Sequence, residues 1–206
     1  MERLLACLVL CASLSASAQE ENCTLFNLQE LADSILALNS ALDQCGTDLS
    51  GTDLSGADVS GANFTGANLS GANLEYANLS GANLSGALLS DAYLPYANLS
   101  GANLVGANLF DAYLAYVNLS GADLTGADLT ADFVNADLTS ANLTGANLTG
   151  ANLFGVDLSG ADLTGADLTS AMMTCLLNCP SNLPTGYICE ENAACQFLDR
   201  YHIVWE

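Results

Sequence analysis

Cations are almost missing from this chain. Its 206 residues include no lysine, two arginines (Arg3 and Arg200) and a single histidine, His202. A surface so poor in positive charge cannot gather phosphate, which excludes conventional direct binding of nucleic acid. Long apolar runs are missing too: no segment reaches the roughly 18 consecutive apolar residues that a membrane-spanning helix needs. The sequence also lacks a phosphate loop, a dinucleotide fingerprint and EF-hand spacing. With His202 alone in the tail and no nucleophile–base arrangement around it, neither an enzyme nor a cofactor is expected.

What remains is acidic and apolar together. Asp and Glu number 23, giving a formal net charge of −21, yet 51% of residues are hydrophobic and only 12% are charged. Apolar burial on that scale offsets chain entropy, so the chain is expected to fold despite its lopsided charge. The first eighteen residues carry Arg3, an apolar run from Leu4 to Leu14, and Ala16-Ser17-Ala18. That pattern predicts a signal peptide over residues 1–18, cleaved after Ala18, and places the protein outside the cell, in a periplasm or in an organelle lumen.

Removing the leader takes away Cys7 and Cys11 and leaves six cysteines: Cys23, Cys45, Cys175, Cys179, Cys189 and Cys195. An even number in an exported chain predicts disulfides. The pairing expected is Cys23 with Cys45, Cys179 with Cys189 and Cys175 with Cys195, although connectivity is open. Zinc is the rival for the last four, but they lack paired C-x2-C knuckles, so no metal site is expected.

The middle of the chain is a five-residue repeat, as in Ala67-Asn68-Leu69-Ser70-Gly71 and Ala161-Asp162-Leu163-Thr164-Gly165. Small Ala and the Leu two positions on share one side of an extended piece, and the Asn or Asp between them takes the other. Gly then supplies a corner. A period of five fits neither a helix nor a plain strand, and four such pieces close a square coil of twenty residues. Leu centres run from Leu49 to Met173, making twenty-six units over residues 47–175, or about six and a half coils. One residue is missing between Leu129 and Leu138; Phe133 is the preferred centre there, because it keeps Asp132 out of the core, with Val134 as the alternative.

These repeats identify the chain as similar to the pentapeptide-repeat family, whose pattern is A-[DN]-L-x-x. The few exceptions include Thr47, Thr52, Val117 and Val156 at the Ala position, and Val59, Phe64, Phe133 and Met173 at the centre. The resemblance implies an all-β solenoid, a right-handed quadrilateral β-helix. It also implies that some relatives imitate DNA in charge and shape and bind type II topoisomerases.

Solenoid ends need covering. Over residues 19–46, Asn27 and Glu30 resemble a capping box, and Leu28, Leu31, Ile35, Leu38 and Leu42 fall on one helical face, predicting an N-terminal helical cap. Residues 176–206, with Pro180, Pro184 and Gly186, predict a Cys-rich C-terminal cap; a separate binding module is the alternative.

Outside the coils, Asn22 is the independent candidate for glycosylation; the other N-x-[ST] sequons follow from the repeat itself. At twenty-residue spacing Asn78, Asn98 and Asn118 should stack as an amide ladder, as should Asn63, Asn83 and Asn103, while Asp137 should lie beside Asp157. One region departs from the polar consensus. Tyr76, Tyr96 and Tyr116 share a corner column, Tyr93 and Tyr113 form a second, and Phe110 lies nearby. Outward aromatics in a cluster mark a candidate binding surface, with mutual stacking that merely stabilises the coils as the alternative.

The function expected is therefore a non-enzymatic, exported acidic scaffold or interaction protein with a protein or glycan partner and a possible homodimer. A DNA-mimicking topoisomerase inhibitor and an ice- or polysaccharide-binding protein are the competing expectations.

Overall fold

The computed structural model describes residues 48–173, 180–185, 187–191 and 201–205. Within 48–173 the chain winds as a four-sided parallel β-solenoid. Residues twenty apart pair side by side: Asp48 with Asn68, Asp53 with Asn73, Asp58 with Asn78 and Asn63 with Asn83 begin the four faces. Each side is too short for a named strand because its extended stretch is only the Ala-Asx-Leu core of one repeat. The sheet character comes from stacking. On one side, for instance, the Leu88 N–H donates to the Ala67 carbonyl, while the Leu69 and Gly71 N–H groups donate to the carbonyls of Leu88 and Ser90. Backbone polar groups are thus satisfied from the neighbouring coil rather than within one side.

Corners follow from the fifth residue. At Gly101 φ is +64°, and an added Cβ would meet nothing within 4 Å, so the demand there is on backbone conformation and not on space. A bond from the Ala102 N–H to the Leu99 carbonyl at 3.0 Å closes the corner. Tyr76, Tyr96, Tyr116, Asp91, Asp111, Asn135, Ser140 and Ser170 hold the same left-handed conformation without being glycine. For such side chains it costs about 1–2 kcal/mol per residue.

The interior is one narrow column of alanine and leucine, with the centre leucines from Leu69 to Leu129 essentially inaccessible. Thr52 stands where Ala is usual, and its hydroxyl is satisfied by donating to the Leu49 carbonyl at 2.7 Å. Phe133 is fully buried and Asp132 faces outward, pairing with Tyr113 on one side and Asn152 on the other. The burial of Phe133, with Val134 only partly buried, fixes the register at the one-residue deletion. Pairs bracketing that point are nineteen apart, such as Asn118 with Asp137, and return to twenty at Asp132 with Asn152.

What is missing is the corner residue after Thr130. In intact corners that residue's N–H donates to a carbonyl one coil on, as from Gly126 to Thr144 at 3.0 Å and from Asp111 to Thr130 at 2.9 Å. The equivalent acceptor for the lost residue is the Thr149 carbonyl, and among the described residues no backbone N–H donates to it.

The fourth face continues beyond the repeats. Asn182 pairs with Asp162, the Leu163 N–H donates to the Asn182 carbonyl, and Leu183 packs against the end of the core. Ser181-Asn182-Leu183 stands twenty residues after Ala161-Asp162-Leu163, a rung that the prolines on either side obscure in the sequence. Past it, β1 (Tyr187–Glu191) and β2 (Tyr201–Trp205) form an antiparallel pair in which Glu190 faces His202 and Cys189 faces Ile203. The expected signal peptide, the helical cap over 19–46, Asn22, and Cys23, Cys45, Cys175, Cys179 and Cys195 lie outside the described residues.

Candidate interaction surface

Side chains of the outward Asx residues do two jobs. Each Oδ1 accepts the N–H two residues on, as from Ser100 to Asn98 at 3.1 Å and from Thr164 to Asp162 at 2.9 Å. That local turn fixes the side chain and leads the backbone into its corner. The Nδ2 of an asparagine then reaches back one coil. Asn98 donates to Asn78 at 3.3 Å, the amide-to-amide contact the column predicted. A more frequent arrangement is asparagine donating to aspartate: Asn68 to Asp48 at 3.0 Å, Asn73 to Asp53 at 3.1 Å, Asn142 to Asp123 at 3.2 Å and Asn152 to Asp132 at 3.2 Å. A charged acceptor strengthens the bond. The order is directional, because the donor always comes from the later coil. A signal for it stood in the sequence as Asp followed by Asn twenty residues later, or nineteen across the deletion.

Serine and threonine hydroxyls add to the same acceptors, as where Thr125 donates to Asp123 at 2.6 Å and Thr144 to Asn142 at 2.7 Å. At the ends of the described coils such donors act on carboxylates. The Ser50 hydroxyl and N–H, opposed by burial and assisted by Asn68, hold the Asp48 carboxyl below its ordinary range. Ser55 does so for Asp53, Thr164 for Asp162 and Thr169 for Asp167.

One pair breaks the order. Asp137 and Asp157 are direct neighbours in the third face, as their spacing implied. Like charges opposite each other destabilise a ladder. Asp157→Asn would place an amide donor over the Asp137 carboxylate and remove the repulsion, so it is expected to stabilise the protein by about 0.5–1.5 kcal/mol. Thermal unfolding of the variant against Asp162→Asn, which gains no such partner, measures this.

The aromatic columns are the clear departure from the polar surface. Rings of Tyr76 and Tyr96 stack with centroids 5.0 Å apart and 8° between planes, and Tyr96 stacks on Tyr116 at 5.0 Å and 7°. Tyr93 and Tyr113 form the second column at 5.4 Å and 8°. The spacing is close to the distance between hydrogen-bonded strands, so the coil itself sets it. All five rings stay well exposed, from 41% for Tyr113 to 61% for Tyr76, and Phe110 is 47% exposed. Loss of water and the nearby Glu75 carboxylate raise the Tyr93 phenol above its ordinary range; the same loss, helped by the neighbouring tyrosines, raises Tyr96.

The corner column sets backbone strain against ring stacking. Three tyrosines there sit at φ of 57–59°. Each costs about 1–2 kcal/mol as backbone strain, whereas a stacked aromatic pair returns about 0.5–1.5 kcal/mol beyond its buried area. Stacking alone, about 1–3 kcal/mol for two contacts, at most matches about 3–6 kcal/mol of strain, and the buried area of the rings adds to the stacking side.

Beside the second column lies a groove that sequence reasoning missed. It has a volume of about 460 Å³ and is lined by Phe110, Asp111, Tyr113, Thr130, Thr149 and Asp132, among others. Its position is that of the lost corner residue, and the signal for it was the single nine-residue spacing from Leu129 to Leu138. Among the described residues no three His, Cys, Asp or Glu side chains are grouped to hold a metal ion, and no helix is long and apolar enough to cross a membrane.

Comparison with known proteins agrees with the repeat. The protein-family pattern for pentapeptide repeats matches in eight copies, over residues 46–75, 72–110, 87–130 and 131–169. No curated protein sequence matches. Among solved structures, QnrB1, a plasmid-mediated fluoroquinolone resistance protein, is similar at 24% identity over 60% of this chain and 78% of its own, with a TM-score of 0.48. Rfr23 from the cyanobacterium Cyanothece 51142 is 25% identical over 72% of this chain and 95% of its own, with a TM-score of 0.43. HetL from Nostoc sp. strain PCC 7120, involved in regulating heterocyst differentiation, is 38% identical over 61% of this chain and 63% of its own, with a TM-score of 0.22. Since these scores fall below 0.5, the assignment rests on the repeats and on the twenty-residue pairing. The chain belongs to the pentapeptide-repeat family, whose fold is the right-handed quadrilateral β-helix.

Proposed function

We propose that this is an exported, non-catalytic scaffold that engages a protein or glycan partner through its tyrosine columns. The observation that carries the reading is the stacked, half-exposed column of Tyr76, Tyr96 and Tyr116, held at left-handed corners where glycine is usual. Rings held on a rigid coil lose little entropy on binding, and tyrosine offers an apolar body with a polar tip. Export is the reading of the leader that the sequence predicts over residues 1–18.

Two competing readings have less support. Ice or polysaccharide binding through hydroxyl columns would need free hydroxyls, yet Thr125, Thr130, Thr144 and Thr164 direct theirs to neighbouring Asx oxygens. DNA mimicry toward a topoisomerase would need a continuous anionic stripe, and the middle coils interrupt it with Asn78, Asn98 and Asn118 on one face and Asn83 and Asn103 on the next.

The test is the double variant Tyr96→Ser and Tyr116→Ser. Ser140 and Ser170 already occupy such corners, so the fold is expected to keep its melting temperature within about 4 °C. Recovery of the partner from the protein's own compartment is expected to fall several-fold. A large loss of stability with unchanged recovery would make the column purely structural.

A further inference from the structure

We infer that the groove left by the missing corner residue is an arginine socket, which anchors a guanidinium-bearing segment of a partner polypeptide. The inference rests on the interaction-scaffold reading and names the chemistry of the partner.

The groove exists because one corner is a residue short. Its acceptors come from three places. The Thr149 carbonyl has lost the N–H that a full corner would supply. Asp111 occupies a neighbouring corner at φ 54°, is exposed, and its carboxylate has no hydrogen-bond partner among the described residues. Asp132 lies on the floor, where its Oδ1 accepts from the Val134 N–H and from Asn152 Nδ2, both at 3.2 Å. All three present acceptor oxygens, and none offers a donor.

The aromatic wall narrows the choice of occupant. Within a column each tyrosine covers its neighbour's face, so Tyr96, with a ring on either side, presents only its edge and hydroxyl. Tyr113 ends its column: Tyr93 covers one face, and the next residue along is the short Asp132. One ring face is therefore left toward the groove, beside a carboxylate. Sugar recognition by stacking would want a run of open faces, and these columns close them. A planar cation fits better, since it can lie on the Tyr113 face while its edge donates to oxygens around it. Guanidinium has five N–H donors fixed in a plane; an ammonium is a compact point charge that cannot both stack and reach three acceptors.

Charge points the same way. The described residues contain no lysine or arginine, so within them nothing pairs Asp111 or Asp132 with an opposite charge. Among the described residues no countercharge is available, and a chain of net charge −21 repels both nucleic acid and its own copies. The chemistry selects a basic polypeptide.

The experiment measures binding of a short fluorescein-labelled peptide of alternating glycine and arginine, and of its lysine counterpart, to the full chain at physiological salt. Arginine peptide is expected to bind at least about threefold more tightly than lysine peptide, because only the former stacks and donates in a plane. Asp111→Asn with Asp132→Asn should weaken it about tenfold, whereas the charge-matched pair Asp162→Asn with Asp167→Asn should change it less than about twofold. Asparagine keeps the turn at 132, so folding is not at stake. Inserting a glycine between Thr130 and Ala131 restores the full corner and should abolish the preference for arginine.

Equal weakening by the two aspartate pairs would reduce the effect to diffuse charge and overturn the socket. Equal affinity for the two peptides, or binding of neutral oligosaccharide in the groove instead, would overturn it as well. Either failure leaves the tyrosine reading to its own test, since Tyr96 and Tyr116 lie in the other column.

Discussion

Leu99→Asp is expected to cost the protein about 3–5 kcal/mol, which for a solenoid of this size is enough to open the middle coils. Leu99 is fully inaccessible, surrounded by the alanines and leucines of its own coil and its neighbours. A carboxylate there finds no hydrogen-bond donor, because every nearby N–H is committed to the coil ladder: Leu99 N–H itself donates to the Asn118 carbonyl at 2.7 Å. The neighbouring change Ser100→Asp adds the same charge on the outside and should cost less than about 1 kcal/mol. Since each coil touches only its neighbours, damage at Leu99 should propagate along the stack as a loss of cooperativity. Urea unfolding of the two variants checks both the size of the difference and the change in slope. Equal, small effects would mean that Leu99 does not face inward.

Removing one whole repeat, Ala102 to Gly106, is expected to spare the core and erase the surface pattern. Every repeat contributes the same Ala and Leu to the interior, so a shorter chain still closes four-sided coils. The columns do not survive, because they depend on a pitch of twenty residues. After the deletion Tyr116 falls beside Asp91 and Tyr113 beside Leu88, so Tyr96 and Tyr116 no longer stack. Near-ultraviolet circular dichroism should lose most of the signal from the Tyr96–Tyr116 and Tyr93–Tyr113 pairs, and partner recovery should drop with it. Deleting twenty residues from the polar coils, Ala57 to Tyr76, keeps the pitch and should preserve both of those stacked pairs. If the five-residue deletion left the tyrosine signal intact, the columns would not be set by the coil.

Most of the architecture was legible because a five-residue period leaves few choices. Ala and Leu two apart must share a side, Asn or Asp between them must take the other, and Gly at the fifth place permits the corner that turns the next side. The same logic put Phe133 inside and Asp132 outside, stacked Tyr76, Tyr96 and Tyr116, and set Asp137 beside Asp157. The amide ladders were legible only in part. Stacked asparagines look self-sufficient in sequence, but the Nδ2 reaches only toward the earlier coil, so an Asp below an Asn is served and an Asp above one is not.

By itself, then, the sequence determined the solenoid, its register and which residues share a column, because those follow from periodicity and from which side chains tolerate burial. Only the tertiary structure decided what the one missing residue does. A gap of nine in a string of fives reads as a minor irregularity, and nothing in the string says whether the coil absorbs it by tightening a corner or by leaving a space. Coil stacking settles that: neighbouring coils keep full corners, so the short one cannot close over, and the Thr149 carbonyl, Asp111, Asp132 and the end of the tyrosine column are left around a groove. The tyrosines were legible as replacements for corner glycine, but the sequence does not say which backbone conformation the corner imposes; the coil sets it at a φ of 57–59°.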